Sequence, residues 1–201
     1  AEEQPPPAAR ASPEPPPDAI RAPERTERGA MNTEAREWRA SIHAGAGATA
    51  GLLPQVSPLI ELGGTVAHGP WGFLAAVRYL SGTDTSREEG RGVHVWALGG
   101  HLAGLFEPLD PLRLTAGLTF HRLEGEGFGV SQPMTDTAWS ASPTLEAGLI
   151  PFRTDDVRLE LALQAHVSVL RPRFEIDGFG EIYRMPRFGG AALIRLRWWM
   201  L

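Results

Sequence analysis

The run VRLELALQAHVSV, Val157 to Val169, places an apolar side chain at every second position and sets Arg158, Glu160, Gln164, His166 and Ser168 among the residues between. A period of two belongs to an extended strand with two unlike faces and not to a helix. The same texture recurs along most of the chain, interrupted by clusters of Gly, Pro, Asp and Ser, which predicts successive antiparallel strands. Eight are expected, at about 38–50, 56–67, 71–80, 92–105, 112–123, 138–150, 157–169 and 188–200.

Alternation leaves two architectures open, because a soluble calyx hides its apolar face and a membrane barrel turns that face to lipid. Three features favour the membrane barrel. The connections after the second, fourth and sixth strands are short (AHGP, EPLDP, PFRTDD), whereas those after the third, fifth and seventh are long. Aromatic residues of the apolar face, Trp38, Trp71, Tyr79, Phe106, Phe120, Trp139 and Trp198, are expected near strand ends, where interfacial girdles belong. The other face mixes Gly, Ser, Thr and His with a few Arg and Glu of both signs, as a crowded lumen with paired charges requires. The polar face is therefore expected inside.

Composition removes several alternatives. The net charge is −5, so there is no basic footprint for a nucleic-acid partner. The absence of Cys excludes disulfides, thiolate metal sites and a Cys nucleophile. All 19 positive residues are Arg, an unusual choice for a water-facing surface. Residues 1–36 are rich in Pro, Ala, Glu and Arg and almost free of large apolar side chains, which predicts a disordered, polyproline-like periplasmic tether ahead of a folded unit at 37–201. A chain beginning at Ala1 is expected to be an exported protein whose signal peptide has been removed. The longest uncharged run, 40–60, contains five Gly or Pro residues, which argues against a spanning helix.

In this layout residues 37–201 resemble the small eight-stranded outer-membrane β-barrels of Gram-negative bacteria, the OmpA-like transmembrane class, and the Arg usage fits a GC-rich source. The terminal LIRLRWWML is similar to the aromatic-containing last strand of that class, although Leu201 falls out of the outward phase shared by Trp198 and Met200. The resemblance implies an all-β, antiparallel, up-and-down transmembrane barrel in the cell outer membrane, in contact with its lipids and lipopolysaccharide. Eight strands leave an interior that side chains fill. Arg39, Arg78, Arg113, Arg158, Arg195 and Arg197 are expected to meet Glu61, Glu146 and Glu160 there, as a plug of paired charges whose Arg excess would favour anions in any leak.

One pair suggests chemistry. His166-Val167-Ser168 resembles the His-x-Ser of outer-membrane lipid A deacylases, in which His serves Ser as general base. Both residues share the inward phase with Gln164, whereas a lipid-cleaving nucleophile must meet the bilayer, so catalysis is not expected. The acidic loop residues Asp84, Glu88, Glu89, Glu124, Glu126, Asp136, Glu175, Asp177 and Glu181 match no cation-loop spacing, and no metal or cofactor is expected. Phe128 and Val130, and Phe174 and Ile176, are candidate apolar contacts for protein partners in the envelope, together with the tether. By elimination the expected role is structural: an anchor, or a subunit of an assembly for adhesion, motility or secretion.

Overall fold

The computed structural model describes residues 38–88, 90–129, 135–176 and 180–200. The tether at 1–36, Glu89, Val130 and Asp177 lie outside them. The described residues form strands β1 (Trp38–Ala50), β2 (Ser57–His68), β3 (Trp71–Glu88), β4 (Arg91–Leu109), β5 (Leu112–Phe128), β6 (Thr135–Arg153), β7 (Val157–Val167), β8 (Arg173–Ile176), β9 (Gly180–Arg184) and β10 (Phe188–Trp199). Eight of them close into an antiparallel barrel in the order β1-β10-β7-β6-β5-β4-β3-β2, while β8 and β9 pair with each other as a separate hairpin. Closure occurs where β1 meets β10, in register from Ser41 opposite Trp199 to Ala50 opposite Gly190. It leaves no open edge in the barrel.

The two faces separate by polarity. Ile42, Leu62, Phe73, Leu102, Leu118, Leu145, Leu163 and Ile194 point outward and are exposed, whereas Glu61, Arg78, His101, Arg113, Glu146, Glu160 and Arg195 are buried inside. In water this arrangement would expose the oily face and hide the charges. In a bilayer it is the favourable one, since the closed ladder pairs the backbone of neighbouring strands all the way round. The soluble calyx is thereby excluded.

The strands exceed their expected lengths on one side. Whereas the third was expected to stop at 80 and the fourth to start at 92, β3 and β4 run on to Glu88 and Arg91 and stay paired, with register shifts between Leu80 and Thr83 and between Ser86 and Glu88. The segment SGTDTSRE is polar on both faces, so hydrophobic alternation cannot mark it as strand. In the same way β5 continues to Phe128 and β6 starts at Thr135, which puts Glu124, Glu126 and Asp136 on strands and not in loops. Strand β7 ends at Val167, two residues early. Tyr79, Phe120 and Trp139 consequently sit within their strands and not at strand ends, while Trp38, Trp71, Phe106 and Trp198 lie at the short-turn end. From Trp71 to Tyr79 the strand advances about 26 Å, or about 20 Å of height at a tilt of ~40°.

The long connection after β7 holds the β8–β9 hairpin, folded back on the barrel. Phe174 is buried and stacks on Tyr183 at 6.4 Å between centroids, so it is not a surface contact for a partner. The side chain of Ile176 is not among those described. Phe174, Tyr183 and Met185 join Leu52 and Leu53 from the β1–β2 loop and Leu80, Val93, Val95 and Leu123 from the barrel wall in one apolar cluster. The interior is polar in its middle and apolar at its long-loop end. Tyr183 keeps a polar tip there by donating its hydroxyl to the Leu52 carbonyl at 3.1 Å, and burial pushes that phenol above its ordinary range.

Candidate functional site

The inward polar residues of six strands converge on Arg195. Its Nε donates to Glu61 Oε1 at 2.6 Å, its Nη1 to Glu146 Oε1 at 2.6 Å and Glu160 Oε1 at 2.7 Å, and its Nη2 to Glu146 Oε2 at 2.7 Å. Arg78 Nε donates to Glu61 Oε2 and Arg113 Nη1 to Glu160 Oε2, each at 2.6 Å. Arg197 completes the set through Glu160 Oε2. The planar fork of Arg suits this work, because one guanidinium reaches three carboxylates on β2, β6 and β7 at fixed angles. Arg78, Arg113, Arg195 and Arg197 face Glu61, Glu146, Glu160 and, 3.5 Å from Arg197, Glu107, so this network is balanced in charge.

Neutral partners fill the remaining valences. Arg78 donates to Gln164 Oε1 at 2.8 Å and to His101 Nδ1 at 2.7 Å. With Nδ1 accepting, the hydrogen of His101 sits on Nε2, which faces Thr144 Oγ1 at 3.4 Å. His43 Nε2 meets Glu61 Oε1 at 3.1 Å.

The glycines of this face have a purpose beside the histidines. His43, His121 and His166 stand opposite Gly63, Gly99 and Gly189 on the neighbouring strands. A Cβ built at any of these glycines would strike the facing imidazole, at 2.4 Å from His121 Cδ2 in the case of Gly99. Each ring therefore lies flat where a side chain is missing, which lets a narrow barrel hold large polar groups. Gly99→Ala is expected to cost about 1–3 kcal/mol through overpacking. Urea unfolding in detergent micelles checks this, and an unchanged midpoint would mean that the ring is not seated there.

At the short-turn end, which faces the periplasm in outer-membrane barrels, the arrangement changes. Trp199 turns inward, opposite in phase to the exposed Trp198, and the guanidiniums of Arg158, Arg39 and Arg197 approach its ring at 4.6, 5.3 and 5.9 Å. Arg39 is partly exposed at the rim, donates to the Gly69 carbonyl at 2.9 Å and lies 3.7 Å from Glu107. Arg158 is expected to pair with a lumen carboxylate, but among the described residues it makes no ion pair and lies against the Trp199 ring instead. Glu107 and Trp199 escaped sequence reasoning. Glu107 sits in FEPLDP, which reads as a turn, while the parity of WW in the last strand did carry the signal for Trp199.

His166 and Ser168 are both buried, at 4% and 3% exposure. Ser168 Oγ bonds Ser142 Oγ at 3.4 Å, and His166 Nε2 has no hydrogen-bond partner among the described residues. The two do not form a hydrogen-bonded pair, and neither reaches the lipid-facing side. Among the acidic loop residues, Asp84 pairs with His94, Glu175 with Arg173 and Glu181 with Arg184, and no group of three potential metal ligands occurs among the described residues.

Outside, Trp71 stacks on Phe106 at 4.3 Å, Trp38 tilts against His68 at 5.0 Å, and Tyr79 lies against Trp96 at 6.3 Å. Trp38, Trp71 and Trp139 are strongly exposed, at 68%, 63% and 64%. Closed eight-stranded pairing, an apolar exterior and a charge-filled interior together define an integral outer-membrane β-barrel. Among solved structures the chain is similar to Ail, the attachment invasion locus protein of Yersinia pestis, at 8% identity and a TM-score of 0.52, covering 81% of this chain and 97% of that one. It is similar also to a major outer membrane protein from Thermus thermophilus, at 13% identity and a TM-score of 0.54, covering 81% and 99%. Identities this low establish a shared fold. No protein-family model matches the sequence, and no curated protein matches it.

Proposed function

We propose that the chain is a structural barrel of the outer membrane, an anchor or subunit of an envelope assembly serving adhesion, motility or secretion, and neither an enzyme nor an open channel. One observation carries this reading: the lumen is filled twice over, by the Arg195 network in its middle and by the apolar cluster around Phe174, Tyr183 and Met185 at its long-loop end. A hydrolase of the lipid A deacylase type needs its nucleophile at the lipid face, and Ser168 is on the opposite side of the wall.

In this reading the seven aromatic residues Trp38, Trp71, Tyr79, Phe106, Phe120, Trp139 and Trp198 seat the barrel between the two interfaces, in contact with phospholipid and lipopolysaccharide. The residues at 1–36 act as a periplasmic tether whose reach, at ~3 Å per residue, is on the order of 100 Å. Protein partners meet the tether or the long-loop end.

Planar-bilayer recording of the purified barrel tests the proposal, alongside lipid A analysis of cells expressing the protein or its Ser168→Ala variant. A silent bilayer and unaltered lipid A are expected. Stepwise currents would make it a channel, and Ser168-dependent deacylation would make it an enzyme; either overturns the structural reading.

A further inference from the structure

We propose that the short-turn mouth of the barrel is a binding site for an oxyanion of the phosphate class, a function beyond the structural role. The charges locate it. The middle of the lumen sets Arg78, Arg113 and Arg195 against Glu61, Glu146 and Glu160, with Arg197 held between Glu160 and Glu107. The mouth does not balance. Its cavity is lined by Arg39, Arg153 and Arg158 against Glu107 and Asp110, and Asp110 is already held by Arg153 at 2.8 Å. One positive charge is left over in that lining, and the exposed Asp155 and Asp156 of the β6–β7 turn lie outside it. Arg39 can draw on water, but Arg158 is only 7% exposed and makes no ion pair among the described residues. A buried cation without a counter-charge is strongly unfavourable, so this surplus asks for an anion.

The hydrogen bonds give the same answer independently. Arg158 Nε, Arg197 Nε and Trp199 Nε1 are buried donors with no hydrogen-bond acceptor among the described residues, while Arg197 Nη1 and Glu107 Oε1 face each other at 3.5 Å. The mouth is short of acceptors, and an oxyanion supplies several on one centre. Arg39, Arg153 and Arg158 line a cavity of 240 Å³ together with Glu107 and Asp110. A water molecule takes about 30 Å³ of liquid, so a phosphate and part of its hydration fit. The Trp199 ring holds Arg158 and Arg39, both of the cavity lining, by cation–π contact in advance of any ligand.

Phosphate at this mouth has two sources, the free ion and the headgroup of an inner-leaflet phospholipid. The test is calorimetric titration of inorganic phosphate into the full chain, folded in a phosphate-free maltoside detergent at constant ionic strength, with folding checked by heat-dependent gel mobility. Saturable binding is expected, weakened about tenfold or more in Arg158→Gln and unchanged in Arg122→Gln at the other end. Should Arg158→Gln fail to fold, Arg39→Gln at the rim takes its place, with the same direction expected. A short-chain phosphatidic acid that competes with phosphate and binds more tightly assigns the site to lipid, and one that does not compete assigns it to the free ion. No saturable binding of either probe, or equal affinity in the wild type and both Arg variants, overturns the proposal.

Discussion

Arg195→Met is expected to lower the stability of the barrel by about 3–5 kcal/mol, because it removes one charge and leaves several others buried without their partner. Arg195 is fully buried and donates to Glu61, Glu146 and Glu160 at once. Arg78 still covers one oxygen of Glu61, and Arg113 one of Glu160, but Glu146 keeps only a 3.4 Å bond from Gln164 and a 4.0 Å approach of Arg78. Water cannot easily replace the lost donors in a lumen packed with side chains. At a urea slope of about 2 kcal/mol per molar, the unfolding midpoint falls by about 2 M. Tryptophan fluorescence during urea titration in micelles reads this directly.

Two further variants separate network from packing. Arg195→Lys keeps the charge but presents a point ammonium that cannot reach three carboxylates in one plane, so an intermediate loss is expected. Arg195→Met with Glu146→Gln removes the charge left most isolated and is expected to recover part of the loss, since residues sharing one network are not additive. As a control, Arg122 and Glu124 form an exposed pair at 3.5 Å, and Arg122→Gln should shift stability by less than about 0.5 kcal/mol. A wild-type midpoint in Arg195→Met would mean that the carboxylates do not depend on it.

The barrel is legible in the sequence because lipid and lumen impose unlike chemistry on alternate residues over every spanning stretch. VRLELALQAHV shows this at its plainest, and β7 is the strand it forms. The signal fades where the bilayer stops. Beyond Tyr79 and Phe120 both faces of a strand meet water or one another, so Thr83, Thr85, Glu124 and Glu126 carry no alternation although they remain paired. Strand length past the membrane is set by cross-strand pairing and turn position, and neither is written as a period. The inward phase of Arg158 was readable too, but whether a carboxylate stands opposite depends on barrel tilt and on which strands face each other across the lumen. The apolar outer lumen was hidden for a different reason: Leu52, Leu53, Phe174 and Met185 lie in connections, where an apolar residue reads as a loose surface patch until the chain folds back.

That fold-back makes the second large expectation local and not global. Phe174→Ala removes a ring that is 3% exposed and stacked on Tyr183, a change that costs about 3–4 kcal/mol in a packed core. The barrel wall does not need the β8–β9 hairpin for its own ladder, since β7 pairs β10 directly. The loss therefore falls on docking of the hairpin, a unit able to open while the barrel stays closed. Trypsin cleavage after Arg173 or Arg184 in reconstituted vesicles should accelerate by about 100- to 1000-fold, the equivalent of that docking loss, with little change in the urea midpoint. Gly125 offers the same test from the opposite side: a Cβ there would come 2.7 Å from the Phe174 ring, so Gly125→Ala should also loosen the hairpin. Combining Gly125→Ala with Phe174→Ala should then cost less than the sum of the two, because the methyl group enters space the ring has vacated. Strict additivity, or a fall in the urea midpoint equal to the docking loss, would instead make the hairpin an integral part of the barrel.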